Sequence, residues 1–355
     1  MGLLNEGRIE RILRKCIRDF GLDLGGLVVF TEAATGPYLY APILTALAGA
    51  AKVYAIAATS RFGDREYVRQ QTLEAASRLG VGSEVQVVFE KTKDHIQQSD
   101  IVTNTGFVRP ISREMISWLK PTAVIPLMWE TWEFREADLD LGACRDHGIL
   151  VMGTDEEKAP LAMYGYSGFM AMKLLFELGL EGYRTKVLLL GGKKGLGFSI
   201  YNHFKQVGIE ITWFADSETG SNPYTQLASH FLENGAEYDG IIVAEHADNV
   251  LLLGEDGLLT YKQLKETNPA ICIGVIAGNL DIEGLKNSGL SFFPREIYPF
   301  GYMSYQPYNL GPGPVLELFS AGLKVGAVMA RCRLQGMNVE ETKQYAIKNS
   351  LAMDF

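Results

Sequence analysis

Apolar residues fall along this chain in two rhythms. Short, mainly apolar runs at Leu27 to Phe30, Lys52 to Ile56, Val85 to Phe89, Ile101 to Asn104, Ala123 to Pro126 and Ile149 to Met152 have the length of buried strands. Between them, at Ala41 to Ala51, Tyr67 to Leu79, Asp94 to Gln98, Arg113 to Leu119 and Asp138 to Asp146, the pattern is that of helices with one buried face. An amphipathic helix, Glu6 to Phe20, precedes them with Ile9, Ile12, Leu13 and Cys16 on one side. A long apolar helix, Pro160 to Glu177, then leads into a second series. Its strands are Lys186 to Leu190, Ile209 to Phe214, Gly240 to Ala244, Ile271 to Val275 and Leu290 to Phe293, with helices at Thr225 to Asn234, Thr260 to Thr267 and Leu280 to Asn287. Pro314 to Leu334 is a last long helix, carrying Gly322, Gly326 and Ala330 at four-residue intervals.

Strands that alternate with helices imply parallel sheets covered on both faces. The predicted fold class is α/β: two doubly wound, Rossmann-like parallel-sheet domains joined by crossing helices. The first domain takes 1–158 plus 313–355, and the second 159–312. The small residues Gly165, Ser167, Gly168 and Ala171 are expected to let the first crossing helix pack closely between domains.

The second series opens with the most informative stretch, KVLLLGGKKGLGFSIYNHFKQVGIEITWFAD. Gly191, Gly192, Gly195 and Gly197 separate a strand from a helix that places Leu196, Ile200, Phe204 and Val207 on one face. Glycines let a backbone approach a pyrophosphate, and the helix dipole stabilises its charge. The spacing is GxxxGxG, a variant familiar from short-chain dehydrogenases; a plain glycine turn is the competing reading. Asp216 ends the next strand nineteen residues after Gly197, where a dinucleotide fold holds the acid that accepts from a ribose 2′-hydroxyl. The expected cofactor contacts are Gly191, Gly192, Lys194, Gly195, Leu196, Gly197 and Asp216, with Ala244 and Ala277 at later strand ends. Lys193 and Lys194 suit a 2′-phosphate and Asp216 repels one, so NAD is favoured and NADP stays possible.

Composition narrows the partners. A chain of 355 residues with 47% apolar and 21% charged residues can bury two cores, and a formal charge of −9 without a basic run argues against nucleic acid or an anionic membrane. Cys16, Cys144, Cys272 and Cys332 form no CxxC pair, and no histidine pair has ligand spacing, so no metal is expected. Without a leader or eighteen consecutive apolar residues, a cytoplasmic protein is expected, and the aromatic run MWETWEF offers a homodimer surface.

The stretch SDIVTNTGFVRPISREMISWLKPTAVIPLMWETWEFREADLDLGACRDHGILVMGT resembles the first domain of the D-2-hydroxyacid dehydrogenases, the superfamily that includes formate and glycerate dehydrogenases. AICIGVIAGNLDIEGLKNSGL and YQPYNLGPGPVLEL are similar to later parts of that family. The resemblance implies an NAD-binding second domain and a substrate loop at Asn104, Thr105, Gly106 and Phe107, where the family holds a carboxylate on backbone N–H groups. The departures are specific. Ala277, beside Gly278 and Asn279, stands where the family has its substrate-binding arginine, and Tyr308 stands where it has its catalytic histidine. Glu296 is the counterpart of the glutamate that orients that histidine.

Reduction of a 2-keto acid needs a cation for the carboxylate and an acid for the developing alkoxide. Arg109 could supply the cation or simply pair at the surface. Tyr308 could donate the proton or only fill a histidine's space, and His246, just past the strand Gly240 to Ala244, is the other proton donor considered. Glu32, Thr35 and Tyr38 follow the first strand at a ligand edge. The tyrosine-rich run Ile297 to Asn309 either lines a pocket or packs as a lid, whereas Trp118, Trp129 and Trp132 are expected in the first domain's core and interface. The leading expectation is an NAD(P)-dependent oxidoreductase acting on a small carboxylated 2-hydroxy or 2-keto compound between its domains. The alternatives are a lyase or hydrolase that retains NAD as a redox catalyst, as adenosylhomocysteine hydrolases do, and a catalytically silent dinucleotide-binding module.

Overall fold

The computed structural model describes residues 5–192, 195–216 and 220–355. The chain divides into two compact α/β units, Met1–Ala162 with Gly311–Phe355, and Met163–Leu310.

In the first unit, β1 (Val28–Glu32), β2 (Lys52–Ile56), β3 (Val85–Val88), β4 (Ile101–Val102), β5 (Val124–Pro126) and β6 (Leu150–Thr154) are all parallel. Among the described residues they make a seven-stranded sheet in the order β6-β5-β4-β1-β2-β3, completed beyond β6 by an antiparallel edge strand, Ala352–Met353. The order reverses at β1, which pairs with both β2 and β4. Alternate side chains of these strands feed a core of Phe30, Ile56, Val102 and Ile125, closed by Ile116 and Leu139. The long helix, Pro312–Leu334, is the one described helix long and apolar enough to cross a membrane, and two-thirds of its apolar window (67%) is buried inside the protein. Its glycines explain the close approach. A Cβ on Gly326 would stand 2.8 Å from Pro126 and 3.1 Å from Ile101, and one on Gly322 would strike Met128.

In the second unit, β7 (Lys186–Leu190), β8 (Glu210–Phe214), β9 (Gly240–Ala244), β11 (Cys272–Ala277) and β13 (Ser291–Phe293) form a parallel sheet ordered β13-β11-β9-β7-β8. Between these, β10 (Leu251–Leu253) and β12 (Asn279–Leu280) pair as a small parallel ribbon that periodicity alone does not predict. Counted from β7, the sheet order is 2-1-3-4-5. The full six-strand dinucleotide order, 3-2-1-4-5-6, belongs to the first unit instead. After β8 the described chain passes through the helix Leu227–Asn234 directly to β9, so the second unit's sheet ends at β8.

Local chemistry moved several boundaries. The helix expected from Pro160 starts at Ser167 after a 3-10 turn, Met163–Tyr166, because Pro160 and Gly165 interrupt it. Gly168 meets the ring of His203, so this small residue serves packing inside the second unit. Val207 ends its helix and is exposed, and Trp132 is half exposed, its indole donating to Glu130. Cys16, Cys144 and Cys332 are buried thiols, and Cys272 is half-buried.

Candidate functional site

The glycine turn sits where the order of the second sheet reverses, between β7 and β9. Gly191 and Gly192 have φ of +84° and +76°, a region that costs other L-residues about 1–2 kcal/mol. Space is as restrictive as torsion. A Cβ on Gly197 would strike the carbonyl of Gly192 and lie 2.8 Å from that of Gly191, and the Gly197 amide donates to Gly192. Gly195 lies against the ring of Tyr164, whose carbonyl accepts from Ser199 at 2.6 Å. From this turn rises the thirteen-residue helix Gly195–Val207, with Leu196, Ile200 and Phe204 buried. On the other side Trp213, fully buried, donates its indole N–H to the Gly191 carbonyl at 2.8 Å and fixes the turn to β8. The expected contact Lys194, and its neighbour Lys193, lie outside the described residues.

Around the turn, Asp216 follows β8 and is exposed. Ala244 and Ala277 are register partners at the ends of β9 and β11, and both are buried. Sequence reasoning missed Glu245. It is fully buried behind Gly191 and accepts from the Tyr224 hydroxyl at 2.7 Å and from the amides of Ala247 and Asp248 at 3.0 and 3.1 Å. Burial, then Glu245, raises the Tyr224 phenol above its ordinary value, so the tyrosine keeps its proton. An acid immediately after the apolar run GIIVA was the available signal. His246, next to it, is half-buried, and burial holds its imidazole below the usual value against the opposing pull of Glu245.

The tyrosine-rich run is strapped to the end of β11: the amides of Ser304 and Tyr305 both donate to Ile276, at 2.7 and 3.2 Å. Tyr305 is the buried member, edge-on to Phe293 at 5.9 Å, and burial pushes its phenol up to about 12. Tyr308 is half-buried on the turn Pro307–Leu310, whose Asn309 carbonyl accepts from Lys173. Glu296 is exposed in the loop before Ile297.

The first unit arranges its loop differently from expectation. Instead of being offered to a substrate carboxylate, the Phe107 amide donates to Glu32 at 3.0 Å, and the Gly106 amide also favours that carboxylate. A Cβ on Gly106 would come within 2.9 Å of Glu32 Oε2, so the glycine makes room for a carboxylate of this chain. Asn104, buried, accepts from the Met128 amide at 2.8 Å, and Thr105 joins Thr103 at 3.0 Å. Arg109 pairs with Asp138 at 2.8 Å and lies 4.9 Å over the Trp129 ring. Its charge is therefore committed within the unit, although it still acts on Glu32.

No protein family pattern and no curated protein matches the sequence. Solved structures do. A dipicolinate synthase component from Bacillus halodurans matches with a TM-score of 0.55 at 11% identity, over 84% of this chain and 96% of that one. The chain shares its fold. Two further matches have lower scores. The NAD-complexed D-isomer specific 2-hydroxyacid dehydrogenase from Lactobacillus delbrueckii ssp. bulgaricus has a TM-score of 0.46 at 12% identity, covering 88% of this chain and 99% of that one. The pyruvate reductase of Chlamydomonas reinhardtii has 0.48 at 13%, covering 88% and 98%.

Proposed function

We propose that the protein is an NAD-dependent oxidoreductase acting on a small hydroxy or keto compound, with the dinucleotide on the second unit. The observation that carries this reading is the backbone contact of Gly197 with Gly192, which packs the start of the helix Gly195–Val207 against the end of the strand with no room for a Cβ. At the start of a helix, such a close approach would let the remaining main-chain N–H groups face a pyrophosphate. Gly192, Gly195 and Leu196 would hold the diphosphate, while Gly191 and Gly197, whose amides donate to Phe214 and Gly192, would make room for it. Asp216 would accept from the adenosine ribose, which favours NAD over NADP, and Ala244 and Ala277 would leave space for a flat ring at the sheet edge. When bound, the nicotinamide supplies the hydride acceptor or donor.

Two groups can move the proton that accompanies hydride transfer. His246 is held largely neutral near pH 7, so it can accept a proton; Tyr308 can donate one. The expected carboxylated substrate finds less support, because the donors at Gly106 and Phe107 face Glu32 and Arg109 faces Asp138. The reading therefore names a carbonyl or carbinol without a required acid group.

Calorimetric titration with NAD and NADP, followed by NADH-consumption assays over neutral and acidic keto compounds, tests this. Saturable NAD binding with turnover of at least one carbonyl compound is expected. Absence of NAD binding would reject the reading, and bound NAD without net turnover would transfer support to the retained-cofactor alternative.

A further inference from the structure

We infer that the second unit carries a self-association surface, the outer face of the helices Ser167–Glu177 and Gly195–Val207, and that its occupant is the same face of a second copy of this chain. Helices that cover a sheet bury an apolar stripe beneath and turn polar residues outward. These two do the first but not the second. Ala171, Leu174 and Leu175 of one and Leu196, Ile200 and Phe204 of the other are buried, yet Phe169, Phe176 and Phe198 are 54%, 56% and 54% exposed. Tyr183, in the turn that follows the first helix, is 67% exposed.

The rings form one patch rather than four isolated side chains. Phe169 lies 4.6 Å from the ring of His203 and so joins the two helices. Phe198, on the same helix as His203, extends the patch toward that helix's start. A Cβ on Gly182 would come within 3.2 Å of the Phe176 ring and 3.3 Å of the Met172 sulfur, and one on Gly208 would strike the Tyr183 ring. The turn at Gly182 and Tyr183 therefore continues the stripe from one helix to the end of the other. Single exposed apolar residues need no explanation, but a contiguous patch does.

Area and charge choose the occupant. Four half-exposed aromatic rings offer roughly 300–500 Å² per copy, about half of the roughly 800 Å² that each partner of a stable pair buries. Met172 and Val207, also open to solvent there, add to it, as do the aliphatic stems of the rim. That rim carries both signs, Glu177 and Glu181 with Arg184 and Lys205, all exposed. A two-fold contact sets a patch against itself, so each copy must offer both charges. An anionic bilayer would instead need a positive excess, and the chain's formal charge is −9. The aromatic run Met128 to Phe134, the surface expected from sequence, offers less: Trp129 and Phe134 pack against the first unit's core, which leaves Trp132 as its exposed ring.

This inference does not depend on the nucleotide reading. Sedimentation velocity on the full chain, from submicromolar to tens of micromolar, tests it. The chain should reach the mass of two copies. Phe169→Asp and Phe198→Asp should each raise the dissociation constant about tenfold or more. Leu232→Asp, at a 57% exposed site on the helix Leu227–Asn234, should leave it within about twofold. A wild-type chain that stays monomeric, or a pair that survives both aromatic variants or is lost equally in Leu232→Asp, would overturn the inference. Loss confined to Trp132→Asp would do so by placing the contact in the first unit. Hydroxyl-radical footprinting of the wild type needs no variant: oxidation of Phe169, Phe176, Tyr183 and Phe198 should fall about threefold or more as concentration rises, with Leu232 unchanged. Constant oxidation of all five would equally overturn it.

Discussion

Gly197→Ala adds one methyl group where there is no room for it. The new Cβ would strike the Gly192 carbonyl and sit 2.7 Å from its carbon and 2.8 Å from the Gly191 oxygen, all backbone atoms that cannot swing aside. Overpacking of this kind costs about 1–3 kcal/mol, while alanine in place of a helical glycine returns about 0.5–1 kcal/mol. The net stability change is thus modest. Binding should suffer more, because the turn must open and its amides turn away from the diphosphate. Losing one hydrogen bond to a charged group, at about 1.5–3 kcal/mol, weakens NAD roughly ten- to hundredfold. Calorimetric titration of NAD reads this directly. Gly289→Ala is the control: its φ is +76°, its Cβ would meet only Lys265 at 3.5 Å, and it precedes β13 at the opposite edge of the sheet. That variant should lose about 1–2 kcal/mol of stability and keep its NAD affinity within about twofold. A folded Gly197→Ala protein with wild-type affinity, or an equal loss in Gly289→Ala, would refute the reasoning.

Asp216→Ala should weaken NAD by about tenfold and leave NADP bound as well or more tightly, since the carboxylate that repels a 2′-phosphate is gone; an unchanged ratio of the two Kd values would remove the ribose role. Tyr308→Phe should lower turnover by roughly 10² to 10⁴ with little change in KM if the phenol gives the proton, and His246→Gln should do so if the imidazole takes part. Wild-type turnover in either variant excludes that residue. Glu133 is half-buried, and burial, then Glu130, raises its carboxyl to about 7 from an ordinary 4.5. Between those values the folded protein holds a proton that the unfolded chain has released, so stability falls as pH rises from about 4.5 to 7. Thermal melts should give a lower Tm at pH 8 than at pH 5, with the slope reduced in Glu133→Gln; an equal slope in both proteins would count against the buried proton.

Much of this architecture was legible because it is encoded locally. The strand, glycine turn and helix at 186–207 need only neighbours in sequence, and so does the apolar alternation of β1 to β6. What eluded the sequence depends on distant partners. Glu32 and Gly106 are seventy-four residues apart, and nothing near either announces that the carboxylate fills the loop's amides. Glu245 reads as an ordinary charge after a strand until Tyr224 and Gly191 are seen to enclose it. The order 2-1-3-4-5 could not be read either, since five strands alternating with helices can be wound in more than one way. Tyr305 and Tyr308 look alike in sequence, and only the bonds to Ile276 show which one enters the core.

The bond from the Trp213 indole to Gly191 has a practical consequence. An indole's emission depends on what its N–H touches, and this one touches the very loop on which the nucleotide proposal rests. Any occupant that shifts Gly191 by a few tenths of an ångström would change the colour or brightness of a chromophore already built into the wall. The remaining tryptophans, Trp118, Trp129 and Trp132, belong to the other unit, so their replacement by phenylalanine would leave a protein that lights only its own second half.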